Sequence, residues 1–269
     1  MAVRGGGSTL TIDSTALDHN SWKIGHLRAT TFVSHLSEGD TFGSLWWKKV
    51  VGSQPNDEHI NRQNGMREQR GMLNGNHLTM VSQTKRIDWT LDPARQGSLE
   101  PTVPPELPAI GPVSCDTLEP FATIVRKWLI QCPPVNRLAF GAILVMPVAN
   151  AQKGCEELQK HLHCIQMNPQ NTTDFIYQIN RPKESAIDSG VRINRLCRWS
   201  VSQIGTVGVE VDLTTLNASA AMEGQYVCKL DLDINTAVLN NVVSGDNAYE
   251  IFQELVAHGQ EIAAKGDIQ

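Results

Sequence analysis

Several features that commonly reveal a protein's function are missing from this chain of 269 residues. No apolar run reaches the roughly 18 residues that a membrane-spanning helix needs, and the N-terminal MAVRGGGSTL lacks the apolar core of a signal peptide. Charged residues are scarce at 19%, whereas hydrophobic residues, at 41%, suffice for a sizeable core. We therefore expect a globular, cytoplasmic protein that does not enter a membrane.

Neither charge nor cysteine content points to a particular ligand. The formal net charge of -5 disfavours general attraction to nucleic acid, although a local basic face remains open. The six cysteines include no C-x-x-C pair and are expected to be reduced and mostly buried. Cys155, His161, His163 and Cys164 lie near one another in sequence, but two histidines two positions apart on a helix cannot face one ion. No metal site is predicted from them.

Readable catalytic motifs are also absent. The chain contains no G-x-x-x-x-G-K phosphate loop, no G-x-S-x-G nucleophile elbow and no H-E-x-x-H metal motif. No catalytic residue and no cofactor are predicted, and we lean away from an enzyme. One alternative stays open, because Asp231 and Asp233 share a strand face and could form part of a metal-dependent hydrolase. The structural interpretation of this pair is a solvated strand face.

Hydrophobic patterning predicts the α+β class, with a largely antiparallel sheet, helices packed on one face and two subdomains as an option. Residues 1–17 are predicted to form a flexible arm and 18–95 a β-rich subdomain. Residues 96–115, with five prolines, are predicted to form a linker or a surface strap. Residues 116–269 are predicted to form a second, α+β subdomain.

Individual elements follow from local patterns. Residues 22–36 and 136–147 are apolar on both faces and predict central strands. The polar stretch 53–76 predicts a long exposed loop, and 77–91 returns to strand-like alternation. Helices are predicted at the start of the second subdomain, with Asp116 or Thr117 as cap, at 151–163 and at 247–265.

The stretch 171–201 predicts a β-hairpin, because two alternating runs flank a turn-rich connection. Its arginines suggest a nucleic-acid or partner-binding surface, with aromatic side chains for stacking. The structural alternative buries Arg195 beside Cys197 and Trp199, against a carboxylate such as Asp174. The candidate binding residues are Arg62, Arg67, Arg70, Tyr177, Arg181, Arg192, Arg195, Arg198 and Trp199.

Three phrases, RLAFGAILVMPV (137–148), DFIYQINRPKES (174–185) and INRLCRWSV (193–201), resemble recurrent phrases of an uncharacterised family of bacterial hypothetical proteins. The resemblance implies a bacterial cytoplasmic protein encoded in a multi-component cassette, such as a phage-defence or toxin–antitoxin locus. It implies no activity. Cys197 stands where the family phrase leads us to expect a small residue such as Ser, which argues against a catalytic role there.

These observations together favour a non-catalytic protein that binds another protein, or a second copy of itself, as a subunit or adaptor. Six tryptophans are candidates for interface anchors, and the polar stretch and the proline-rich strap could become ordered on a partner. Nucleic-acid binding through the hairpin arginines is the first alternative. Metal-dependent hydrolysis at Asp231 and Asp233 is the second.

Overall fold

A computed structural model describes residues 22–34, 45–94, 107–172, 174–212 and 217–267 of the chain. Within these ranges eleven strands form one sheet, and every strand pair is antiparallel. With the four helices found in the same ranges, this confirms the α+β prediction with a large antiparallel sheet. The predicted arm, 1–17, and most of the predicted strap, 96–115, lie outside the described residues.

The strands and helices have the following bounds. The strands are β1 (Lys23–Val33), β2 (Asp57–Asn61), β3 (Met66–Leu73), β4 (Asn76–Gln83), β5 (Arg86–Asp92), β6 (Gly111–Pro112), β7 (Val135–Val148), β8 (Ile176–Asn180), β9 (Lys183–Glu184), β10 (Arg192–Asp212) and β11 (Asn217–Thr236). The helices are α1 (Trp46–Val51), α2 (Cys115–Gln131), α3 (Ala151–His161) and α4 (Gly245–Lys265). The strand order across the sheet is β2-β3-β4-β5-β1-β7-β11-β10-β8, with β6 beside β1 and β9 beside β10.

Strands β1 and β7 form the centre of the sheet, as their apolar runs predict. β1 pairs with β5 on one side and with β7 on the other, so strands from before and after the proline-rich stretch belong to one sheet. Leu107, at the end of that stretch, packs with Val145 and Val227. The sheet therefore continues across the boundary predicted at 96–115.

The polar stretch 53–76 is not the long loop that its composition predicts. It forms β2 and β3, which pair with each other and then with β4. The β3–β4 turn is Asn74-Gly75, with φ of 50° and 80°, the left-handed conformation that two-residue hairpin turns require. The prediction failed because β2 is the edge strand and β3 is next to it, and both carry polar residues along both faces.

The helices begin and end where side chains satisfy their free backbone groups. Ser114 caps α2 by accepting a hydrogen bond from the Thr117 backbone N–H at 3.3 Å, so the cap lies before the predicted Asp116 and Thr117. Asn150 caps α3 in the same way, by accepting from Lys153 N at 2.8 Å. Among the described helices, none has the length and apolar character that crossing a membrane would demand.

All six tryptophans are buried, with exposed fractions between 0% and 6%. Trp46, Trp47, Trp89 and Trp128 form one cluster in the first half of the sheet, with neighbouring ring centroids 4.9–6.3 Å apart. Trp22 and Trp199 meet His161 in a second cluster, where the imidazole stacks on Trp199 at 5.6 Å. No tryptophan is therefore exposed to anchor a partner, although such anchoring was one basis of the binding hypothesis.

Candidate functional site

The end of the chain reaches back into the fold and joins three separate elements. Helix α4 ends at Lys265, the next residue is Gly266 with a φ of 79°, and a Cβ at Gly266 would clash with the carbonyl oxygen of His161. Only glycine suits both the left-handed backbone and this close approach. The next residue, Asp267, donates its backbone N–H to the same His161 oxygen at 2.9 Å. The end of α4 is thereby fixed to the end of α3.

We call Cys164, Tyr177, Arg181 and Asp267 the Asp267 junction. Arg181 donates Nε and Nη2 to the two carboxylate oxygens of Asp267 at 2.5 and 2.8 Å. The Tyr177 hydroxyl and the Cys164 thiol donate to the same carboxylate at 2.8 and 3.0 Å. The Asp267 side chain is only 1% exposed, so its charge is held by four donated hydrogen bonds rather than by water.

The pKa values in the junction follow from this arrangement. The hydrogen bonds from Arg181, followed by those from Cys164 and Tyr177, lower the pKa of Asp267 to about 2 against the opposing effect of burial. Burial raises the pKa of Tyr177, and the hydrogen bonds to Cys164 and Asp267 raise it further. Asp267 therefore stays ionised and Tyr177 protonated at neutral pH, which is the state that the hydrogen bonds need.

Arg195 lies beside this junction in a different condition. It is 5% exposed, its Nε is buried without a partner, and the described residues form no hydrogen bond or ion pair with its guanidinium. Its backbone is fixed, because Arg195 N donates to Asn180 Oδ1 at 2.9 Å and its carbonyl accepts from Arg181 N at 3.2 Å. The predicted burial of Arg195 is observed, but Asp174 is not its partner. The carboxylate that senses its charge is Glu261 on α4: burial opposes the change, but the hydrogen bond and charge of Lys265, followed by the charges of Arg195 and Lys183, lower the pKa of Glu261.

Arg195 lines a narrow crevice together with Arg181, Cys197, Ile262 and Asp267, and this crevice has no room for a water molecule. His258 on α4 is 7% exposed, and its Nε2 is also buried without a hydrogen-bond partner. Burial lowers the pKa of His258, and the charges of Arg195 and Lys183 lower it further. The ring nitrogens Nε2 and Nδ1 of His258 lie 3.9 and 3.8 Å from carboxylate oxygens of Glu254 and Glu261, so two acidic side chains of the same helix border this imidazole.

The N-terminal candidate arginines lie far across the sheet, on β2–β3 and the turn between them, and two of them are paired. Arg67 donates Nε to Glu58 at 2.6 Å and is 9% exposed. Arg70 is exposed and contacts Glu68 at 2.7 Å. Arg62 is exposed in the β2–β3 connection. The sheet order separates these residues from the hairpin of β8 and β10, so the structure does not bring the nine candidates into one surface.

The hairpin itself is present, since β8 pairs with β10 from Ile176–Ser200 to Asn180–Leu196. Tyr177 and Arg181 are half-buried in the Asp267 junction, whereas Arg192 and Arg198 are exposed. Trp199 is fully buried, so a base could stack on it only if the core opened. Two of the six candidate residues on the hairpin are therefore exposed, and the other four are half-buried or buried.

The two aspartates of the hydrolase alternative are engaged with basic side chains. Asp231 lies 3.0 Å from Lys229 Nζ, and Asp233 lies 3.7 Å from Arg28 Nη2. In the ranges that the structure describes, no three His, Cys, Asp or Glu side chains are placed to hold a metal. The hydrolase alternative therefore has no supporting third ligand there.

Sequence reasoning missed Asp267 and His258, and it considered Cys164 only as a metal ligand. Asp267 is 86 residues from Arg181 and stands in the unpatterned tail KGDIQ, so no spacing rule connects them. The available signal was Gly266, which follows the last residue of a predicted helix and indicates a helix end followed by a turn. No family model, curated protein or solved structure compared with this chain matches it.

Proposed function

We propose that the protein is a non-catalytic subunit or adaptor that binds another protein, or a second copy of itself, through the β10–β11 hairpin. Its setting in a bacterial multi-component system, such as phage defence or toxin–antitoxin, is part of the proposal and rests on the sequence resemblance alone. The observation that carries the binding proposal is the length of this hairpin beyond the rest of the sheet.

β10 and β11 continue together past their neighbours. β8 stops pairing with β10 at Ser200, and β7 stops pairing with β11 at Tyr226. Nine successive residue pairs, from Ile204–Gln225 to Asp212–Asn217, then have no third strand beside them in the described ranges. A two-stranded ribbon is at best marginally stable in water unless a further strand or surface packs on it. The unaccompanied ribbon therefore favours a partner that adds a strand to it or packs on it.

The composition of the ribbon favours protein over nucleic acid. Residues 204–225 contain Glu210, Asp212 and Glu223 but no lysine or arginine. A ribbon of this acidic composition suits strand addition by a protein, and it would repel a phosphate backbone.

We also infer that the four helices share one face of the sheet and leave the other face open. Three contacts support this arrangement: Trp128 Nε1 of α2 donates to Thr31 at 3.2 Å, Gly154 of α3 faces Val201, and Gly259 of α4 faces Phe140. The strand register puts these three contacted residues on one side. The opposite face would then present polar side chains, including Arg28, Asp231 and Asp233.

The test is to shorten the ribbon in the full-length protein. Residues 205–224 are replaced by Asn-Gly, a two-residue turn that can join Ile204 to Gln225. Protein isolated mildly from its own host is examined by native mass spectrometry, with the ratio of absorbance at 260 and 280 nm. We expect the natural chain to carry a defined protein partner or to form an oligomer, and the shortened variant to be a bare monomer with an unchanged melting temperature.

A matched control is Arg198→Gln, an exposed change on β10 that should keep the complex. An identical complex with the shortened ribbon would overturn the proposal. Bound nucleic acid that is lost in Arg198→Gln or Arg192→Gln would favour the nucleic-acid alternative, because these are the two exposed arginines of the hairpin. Divalent-ion-dependent hydrolysis that is lost in Asp231→Ala would favour the hydrolase alternative.

A further inference from the structure

The two outer strands of the sheet differ in charge. β2 forms one outer edge with the sequence DEHIN, in which Asp57, Glu58 and His59 are exposed, whereas β8 forms the other with the uncharged sequence IYQIN. An outer strand presents unpaired backbone N–H and C=O groups, and natural proteins usually protect such a strand with charge or proline. β2 has that protection, and β8 lacks it. β8 is therefore the edge that is suited to pairing with another strand.

The register shows which backbone groups of β8 are free. Arg181 N donates to the Arg195 carbonyl oxygen at 3.2 Å. Because residues that bond to the partner alternate along an antiparallel strand, the odd-numbered residues of β8 bond to β10 and the even-numbered ones direct their N–H and C=O groups away from it. No described residue hydrogen-bonds to these outward backbone groups. The outward residues are Ile176, Gln178 and Asn180.

The free part of this edge is short and has defined ends. The next outward position after Asn180 is Pro182, which has no N–H to offer. Before the strand, Asp174 has a φ of 51°, so the backbone leaves the extended conformation there. Between these ends lies Ile176, whose side chain is 57% exposed. The edge thus offers a neutral stretch of strand, with an exposed apolar side chain, to a partner of similar length.

We propose that β8 is a self-association edge, on which β8 of a second copy of this chain pairs in antiparallel orientation about a two-fold axis at Gln178. In that register Gln178 pairs with its counterpart, and Ile176 of each copy pairs with Asn180 of the other. All three pairs join outward backbone groups, so each pair exchanges two hydrogen bonds. A shift of two residues in either direction would bring Pro182 or Asp174 into the pairing and would lose one of these pairs.

The side chains of this segment complement those of an identical strand. In the proposed register Tyr177 of each copy lies beside Ile179 of the other, and cross-strand pairs of an aromatic with a β-branched residue stabilise antiparallel sheets. No like charges meet within the paired segment, because β8 carries none. At each end, the exposed Asp174 of one copy lies opposite Pro182 of the other, next to the exposed Lys183. These features favour a second copy, which brings the complementary residues with it.

This proposal goes beyond the function proposed above, because it uses a different edge. Pairing of β8 with β10 ends at Ser200, and the ribbon begins at Ile204, so the ribbon is not needed for β8 to pair with its counterpart. A pairing of this length is small beside the roughly 1,200 Å² buried by stable interfaces, so we expect a weak dimer, with a Kd on the order of 10–100 µM.

The experiment is sedimentation velocity on the full chain, at concentrations from below to above that Kd. Gln178→Pro removes the central outward N–H but no hydrogen bond to β10, because Gln178 faces away from β10. Gln178→Thr keeps the N–H and is the matched control. Ile176→Lys leaves the backbone unchanged and adds a charge to the exposed edge.

We expect the natural chain to show a monomer–dimer equilibrium. The Kd should rise by about tenfold or more in Gln178→Pro and in Ile176→Lys, and by less than about twofold in Gln178→Thr. The variant with residues 205–224 replaced by Asn-Gly should dimerise as the natural chain does, which separates this proposal from that of the ribbon. Melting temperatures check that each variant is folded, and Ile176→Lys decides the matter if Gln178→Pro is not.

Hydrogen exchange gives a second measurement, at the level of single amides. As the protein concentration rises, exchange should slow at the amides of Ile176, Gln178 and Asn180, whereas Tyr177 and Ile179 should be protected at every concentration by their bonds to β10. A chain that stays monomeric at the highest concentration would overturn the proposal. So would a dimer that tolerates both edge variants, or one that disappears when only the ribbon is shortened.

Discussion

Two groups of arginines, one at each end of the sheet, differ in how their charges are balanced. On β3, Arg67 contacts Glu58 at 2.6 Å and Arg70 contacts Glu68 at 2.7 Å. On β10, Arg195 is buried with its Nε unpartnered and senses the charge of Glu261 without an ion-pair contact, and Arg192 is exposed. Arg67 joins β3 to β2, whereas Arg70 and Glu68 pair within β3. The charges of the second group are therefore balanced less closely than those of the first.

The Asp267 junction shows what pairing achieves at the second end. Arg181 lies on the same hairpin as Arg195, yet its charge is fully matched by a carboxylate that α4 delivers. Breaking this matched pair should therefore be costly.

The largest effect is expected from Asp267→Asn. The change leaves Arg181 without its carboxylate and keeps only a neutral acceptor for Tyr177 and Cys164. We expect the free energy of unfolding to fall by about 3 kcal/mol, the range for breaking a buried ion pair. Urea unfolding at neutral pH measures it.

The control for this substitution is Asp246→Asn, which removes a carboxylate 73% exposed and 3.7 Å from Arg126. An exposed pair of this kind should contribute less than about 0.5 kcal/mol. Equal losses for the two variants would show that burial of the Asp267 pair confers no special stability.

The next largest effect is that the stabilisation supplied by Asp267 should be lost at acidic pH. The pKa of Asp267 is about 2 in the folded protein against an ordinary value of 3.8. Because the folded-state pKa is lowered, the stabilisation is complete above about pH 4 and is lost as the pH falls to 2. The difference between the two pKa values corresponds to about 2 kcal/mol. The gap in unfolding free energy between the natural chain and Asp267→Asn should narrow by this amount between pH 5 and 2. A difference in unfolding free energy that stays constant from pH 5 to 2 would contradict this prediction.

The same contrast explains how far the sequence could predict this molecule. The β-hairpin of β8 and β10 was predictable because alternation and turn composition are local. The β3–β4 hairpin was also predictable in principle, since Asn74-Gly75 is a strong turn signal. The polar composition of 53–76 predicts a loop instead, and it outweighs a turn signal of only two residues. Arg67 meets Glu58 across the β2–β3 pair, and Arg70 meets Glu68 two residues away on β3, so both contacts are local in sequence.

The site resists prediction for a different reason. Asp267 meets Cys164, Tyr177 and Arg181 over separations of 103, 90 and 86 residues. Those contacts depend on where α4 ends above the sheet, and no local pattern contains that information. Burial of Arg195 could be anticipated from its place between Ile193 and Cys197 on one strand face, but the absence of an ion pair with Asp174 could not.

The smallest effect is expected from Arg70→Gln. Arg70 makes two good contacts to Glu68, at 2.7 and 2.8 Å, so geometry alone would suggest a strong pair. Its side chain is however 58% exposed, and water and salt screen the attraction. The free energy of unfolding should fall by about 0.5 kcal/mol or less, and less still at 1 M salt. A loss above about 1 kcal/mol would mean that the β2–β3 edge depends on this arginine as closely as the opposite end depends on Arg181.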